Sequence, residues 1–247
     1  MVKKSSKRQW KDILLIGTVY LVMTICCIGI VYGESVNICE VMDFKELTRI
    51  INEKEEILKT HPSDISTLKV LGIAYHNLSV IGKKGVCKKA FSILTKAYEL
   101  TPQDYEILVY LGSSRTLMGR DAIIPFAKLH YVYNGCRIMD EAVSKSPDNI
   151  IVRLTRANNS LALPGFFNRA KYAKKDLLHL LKLSKKAPKD FSSELLATIY
   201  YTLGEYYKGE GESQWDKARE CWEKAIEIAP ESKDGILSSE RLEVYKP

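Results

Sequence analysis

The chain has 247 residues, 46% of them hydrophobic, enough to bury a sizeable core in one or two domains. Thirty-seven basic and 30 acidic residues give a net charge of +7, but Lys3, Lys4, Lys7, Arg8 and Lys11, with Asp12, fall in the first twelve positions and leave 32 against 29 elsewhere. The body therefore lacks the basic surplus of a nucleic-acid binder, and no RNP-type, finger or basic-helix pattern supplies one.

Residues 1–33 read as a basic stretch followed by twenty uncharged residues, Ile13 to Tyr32. At about 1.5 Å per residue, a helix of that length matches a hydrocarbon core of roughly 30 Å. A cleavable signal has a shorter apolar stretch, about 7–15 residues, ending at small residues. Val31-Tyr32-Gly33 is a poor site of that kind, so membrane anchor and removed signal both stay open. Lysines ahead of the segment favour a cytoplasmic N-terminus and an extracytoplasmic body, or a secreted or periplasmic body after cleavage. Residues 34–42 form a linker to a domain spanning 43–247. Cys39, Cys87, Cys136 and Cys221 show neither a C-x-x-C pair nor zinc-like spacing with histidine, which points to small apolar packing roles.

Next comes an amphipathic helix, from about Asp43 to Lys59, and then a recurring series. Leu68-x-x-Leu71-Gly72-x-x-Tyr75 is followed by Ala90-x-x-x-Leu94-x-x-Ala97 and Pro102. Leu108-x-x-Leu111-Gly112-x-x-Arg115 is followed by Gly135-x-x-x-Met139-x-x-Ala142 and Pro147. Tyr200-x-x-Leu203-Gly204-x-x-Tyr207 is followed by Ala218-x-x-x-Trp222-x-x-Ala225 and Pro230. Large residues at i, i+3 and i+7 line one face of a first helix, small residues let a second helix approach, and Pro ends it.

This order of large, Leu-Gly, aromatic, small, large, small and Pro resembles the tetratricopeptide repeat (TPR). The resemblance implies an all-α fold, an α-solenoid of stacked helical hairpins, preceded here by one N-terminal transmembrane or signal helix. It also implies protein–protein contact along a concave face. There are departures. Gly to second-helix small residue spans 18, 23 and 14 residues in the three copies, so a lengthened turn is expected in each, most in the middle one. A fourth unit, about Asn149 to Pro188, keeps two helical patterns around Leu163-Pro-Gly-Phe-Phe167 without the Leu-Gly and Ala signature. The last residues form a short polar cap.

No motif supports catalysis, so no enzyme, cofactor or metal centre is expected. His61, His76, His130 and His179 lack metal-ligand spacing, and Ser66-x-x-Lys69 lacks the companion elements of the penicillin-binding motif. Gly82-Lys-Lys-Gly85 reads as a flexible inserted turn. One constellation is less bland. By the repeat's spacing, Arg115 replaces the first-helix aromatic, while Arg153 and Arg156 stand where the next first helix should present large apolar residues. Buried guanidinium groups demand carboxylates or anions. Asp121, Asp140, Glu141 and Asp176 are the candidate partners, in an internal ion network or around a bound anion. The concave face is expected to present Lys69, His76, Asn77, Glu106, Ser113, Tyr201, Glu205 and Lys208, a mixed-charge set unlike a basic carboxylate clamp.

Together these readings describe a membrane-anchored, extracytoplasmic scaffold that binds a protein or peptide and assembles an envelope component. The alternative is an accessory protein that takes an anionic small molecule or peptide carboxylate at the arginine cluster.

Overall fold

The computed structural model describes residues 37–245; the segment at 13–32 lies outside them. Asn37 to Val41 fall in one unit, with a turn closed by the Glu40 N–H on the Asn37 carbonyl at 2.9 Å. From Met42 on, the described chain forms a second compact unit. Its regular structure is helical: α1 (Phe44–Thr60), α2 (Ile65–Val80), α3 (Cys87–Leu100), α4 (Tyr105–Asp121), α5 (Pro125–Lys145), α6 (Ile150–Ala162), α7 (Ala170–Lys186), α8 (Ser193–Gly209), α9 (Trp215–Ile228) and α10 (Lys233–Val244). Among the described residues, no helix is long and apolar enough to cross a membrane.

Local sequence sets where the helices begin. Asp43, Asp64, Asp104, Asn149, Ser192 and Ser232 cap α1, α2, α4, α6, α8 and α10, each accepting a backbone N–H of the first turn. Pro62, Pro102, Pro147 and Pro230 stand two residues before four of these caps, so one short turn ends a helix and starts the next. The second helices α3, α5, α7 and α9 begin without a side-chain cap.

Helices α2/α3, α4/α5, α6/α7 and α8/α9 pack as hairpins; α1 precedes them against α2, and α10 closes on α8 and α9. The first helices α2, α4, α6, α8 and α10 also touch in succession, forming one continuous layer. The turns within hairpins therefore lie along one edge of this layer, and the turns between hairpins along the other.

The small residues sit where the helices approach most closely. A Cβ on Gly112 would lie 2.8 Å from the Gly135 carbonyl oxygen, and one on Gly72 would lie 2.6 Å from Leu94 Cδ2. A Cβ on Gly204 would meet the Trp222 indole, which is fully buried along with Ala225. These three hairpins thus close on a first-helix glycine, with Leu94, Met139 or Trp222 filling the space beside it.

Two expectations change. The 23-residue spacing of the middle copy is not a long turn. Only Ala122 to Ile124 separate α4 from α5, and the extra residues lengthen the helices, α5 to 21 residues. Gly119 allows this: a Cβ there would meet Val132 at 2.8 Å, so the two helices stay in contact out to their tip. The fourth hairpin also keeps the signature in altered letters. Ala157 takes the first-helix Gly position, and Ala173, Leu177 and Leu180 repeat the second-helix spacing; all four are fully buried. Arginine in the Leu slot had hidden the match.

Candidate functional site

The α6/α7 hairpin holds a buried ion network. Arg153 and Arg156 lie three residues apart on α6 and face Asp176, fully buried on α7. Asp176 Oδ1 accepts from Arg153 Nη1 and Arg156 Nη2, both at 2.7 Å, and Oδ2 accepts from Arg156 Nε at 2.8 Å. Arg156 Nη1 reaches Asp140 on α5 at 3.0 Å, and Asp140 also takes both ends of the Arg169 fork, at 2.9 and 2.6 Å. The Arg153 Nε–H donates to the Pro147 carbonyl. Burial pulls the Arg153 guanidinium below its ordinary pKa against the opposing pull of Asp176. Tyr172 completes the group, its ring centroid 3.9 Å from the Arg169 guanidinium.

Arg169 and Tyr172 were not legible as members. Arg169 sits in the turn before α7, where the repeat spacing assigns no packing role. Arg115 belongs elsewhere: its guanidinium lies 5.1 Å from the Phe91 ring centroid and 5.6 Å from that of Tyr131. Asp121 pairs with Arg120 at 2.8 Å and accepts the Gly85 N–H at 2.9 Å. Burial alone would raise the Asp121 carboxyl, but Arg120, the Gly85 N–H and the Cys87 thiol outweigh it and hold its pKa at about 2. That contact pins the Gly82–Gly85 turn onto the end of α4. The arginines thus serve two separate places, and Asp176 fills the forks that an anionic ligand would need.

The expected concave face also divides. His76, Asn77 and Ser113 are buried, because successive first helices press together there. His76 Nε2 lies 2.8 Å from Ser113 Oγ, and Asn159 Nδ2 donates to Ser113 Oγ at 3.0 Å and to Thr116 Oγ1 at 2.6 Å. This polar line joins α2, α4 and α6. Burial depresses the His76 pKa to about 4, with a smaller push from Arg120.

Lys69, Glu106, Tyr201, Glu205 and Lys208 keep partial exposure. Lys69 bridges Asp104 at 2.9 Å and Glu106 at 2.8 Å; Glu106 accepts from Asn149 Nδ2 at 3.0 Å. Burial would lower the Lys69 pKa, yet the two carboxylates outweigh it and raise it. These residues, with Gln103 and Tyr105, line a cleft of about 590 Å³ on the edge between hairpins. Glu205 is held by Arg241 and Lys208, both at 2.8 Å, at the C-terminal end of the layer. Among the described residues, no group of three or more His, Cys, Asp or Glu side chains could hold a metal ion.

A solved structure is similar to this arrangement. It is a thermophilic TPR protein of Thermus thermophilus, 17% identical, superposing with a TM-score of 0.54 over 79% of this chain and 98% of that one. The likeness shows a shared helical-repeat fold. No family profile matches the chain, and no curated protein matches it.

Proposed function

We propose that this chain is a membrane-tethered helical-repeat scaffold that holds a protein or peptide partner. The tether is the uncharged run 13–32, with the body outside the cytoplasm, where it would help assemble an envelope component. The observation that supports partner binding is the Lys69/Asp104/Glu106/Asn149 cleft. Its two carboxylates, held by one ammonium, sit where three successive hairpins meet and leave a net negative rim. A segment carrying Lys or Arg side chains complements that charge. The Asp176-filled arginine forks favour a locking role over the anion-binding alternative.

Photo-crosslinking in intact membranes tests the partner. A benzophenone amino acid at Gln103 should trap a discrete partner, and one at exposed Lys185 on α7 should not. Equal trapping at both positions, or none at Gln103, sinks the reading. Protease access tests orientation: digestion only after permeabilisation would overturn an outside body.

A further inference from the structure

The edge formed by the hairpin tips differs sharply from the partner cleft. Ile123 is 92% exposed, Phe126 84% and Phe166 71%, and Ile124, Val80 and Ile81 are exposed beside them. Scattered apolar residues need no explanation, but these fall on three neighbouring hairpin tips. The Gly85 N–H bonds Asp121, and Arg120 donates to the Ser79 carbonyl at 2.9 Å, which joins the first tip to the second. Tyr133 of α5 meets Phe167 with ring centroids 5.5 Å apart, which joins the second tip to the third. The lengthened α4/α5 pair carries Ile123, Ile124 and Phe126 at its end.

Charge along the tips is mostly basic; the acids at this edge are occupied, Asp121 by Arg120, Glu46 by Arg49, and Asp43 as the cap of α1. Lys83, Lys84, Lys88 and Lys89 follow the first tip, Lys128 the second and Lys171 the third. From Val80 to Tyr98, from Ala122 to Met139 and from Leu161 to Lys175 there is no acidic residue. The fourth tip differs, with Glu205, Glu210, Glu212 and Asp216 outnumbering Lys208 and Lys217 around a polar turn. Apolar side chains ringed by lysine are the composition of a surface that lies in the headgroup region of an anionic bilayer.

Chain direction agrees. Helix α1 ends at the turn before α2, so its start, with exposed Met42 and Phe44, lies at the tip edge. Ten residues, 33–42, separate the Asp43 cap of α1 from the uncharged run. Fully extended they reach roughly 35 Å, so a tethered body stays within touching distance of its bilayer.

We infer that the first three hairpin tips form a membrane-docking edge, with Ile123, Ile124, Phe126 and Phe166 inserted among acyl chains and lysines on anionic headgroups. The inference rests on the tether reading above. It turns the Lys69/Glu106 cleft, on the opposite edge, away from the membrane.

The test uses the full chain reconstituted in phosphatidylglycerol-rich vesicles of brominated lipid. An environment-sensitive fluorescent amino acid replaces Phe126 in one sample and Gln103 in another, and a carbonate wash followed by flotation reads the tether independently. Docking predicts quenching at 126 and none at 103. Lys83→Gln and Lys84→Gln should each lower the inserted-to-released ratio about fivefold. Pure phosphatidylcholine should weaken quenching similarly.

An unquenched 126 in wash-resistant vesicles overturns the docking edge and leaves the tether standing. Quenching at 126 in protein that the wash strips supports the edge and removes the tether. Loss of both signals removes both readings. Emission at 126 that shifts with protein concentration in the absence of lipid overturns docking in favour of a second copy. The fold survives these changes, since the replaced side chains pack against little.

Discussion

Asp176 closes both ends of the Arg156 fork, Nε at 2.8 Å and Nη2 at 2.7 Å, from a position with no solvent exposure. A carboxylate on a second helix therefore fixes a guanidinium that stands where α4 carries Leu111. Asp176→Asn should cost about 3–5 kcal/mol, because two guanidinium groups lose their counter-charge in the interior. Replacing Arg153, Arg156 and Asp176 together by Leu should leave stability unchanged or raise it by about 1–4 kcal/mol. Urea unfolding of both variants decides; an Asp176→Asn protein as stable as its parent would mean that solvent screens the network.

Gly135 offers a steric test. A Cβ there would lie 2.6 Å from Thr116 Cγ2 and 2.9 Å from the Thr116 backbone nitrogen, neither free to swing away. Gly135→Ala should lose about 1–3 kcal/mol by overpacking. Gly209→Ala, where an added Cβ meets nothing within 4 Å, is the control and should be neutral or mildly stabilising. Equal midpoints for the two variants would contradict the close α4/α5 approach.

His76 makes stability depend on pH in a defined window. Its folded pKa is about 4, against an ordinary value of 6.5. Between these values the unfolded chain binds more protons than the folded one, so stability falls as pH drops. The stabilisation is fully present above pH 6.5 and disappears towards pH 4, by up to about 3 kcal/mol. His76→Gln should flatten this part of the profile while leaving the neutral-pH value close to its start. An unchanged slope would mean that the ring is not the group responsible.

Thiol chemistry reports the packing of the second helices. Burial, with Glu220 adding to it, pushes the Cys221 thiol up to about 12; burial and Asp121 push Cys87 to about 11. The thiolate is the reactive form, so both should resist iodoacetamide at pH 8 in the native protein and react readily in urea. Rapid native alkylation of Cys221, mapped by mass spectrometry, would mean that the α8/α9 hairpin opens locally.

The repeat architecture was legible because close helix approach restricts residue type so severely. Gly72, Gly112, Gly204, Ala90, Ala97 and Trp222 announce their contacts wherever they recur. The fourth hairpin was half hidden, since an arginine can occupy a leucine slot once a carboxylate such as Asp176 arrives from another helix. Spacing nominates Arg153 and Arg156 with four candidate carboxylates, but that Asp176 and Asp140 arrive and Asp121 does not depends on a crossing that no local pattern encodes. His76, Asn77 and Ser113 were assigned to the open face for a related reason. A single-helix periodicity shows which side of α2 faces α3, not how tightly α4 presses against its flank. The lengthened middle copy read as a loop because the spacing counts residues and is blind to helices that simply continue.

The polar line from His76 through Ser113 to Asn159, and its parallel from Lys69 through Glu106 to Asn149, have a consequence for how this chain could change over time. In an array held by apolar contacts alone, units are interchangeable and can be duplicated, deleted or shuffled. Here the α2/α4 and α4/α6 junctions each carry an address of their own, written in a donor and an acceptor supplied by the neighbouring hairpin. Excising α4 and α5 would set His76 against Asn159 and Lys69 against Asn149, removing the hydroxyl and carboxylate that reconcile them. The order of the first three hairpins is therefore fixed, one against the next.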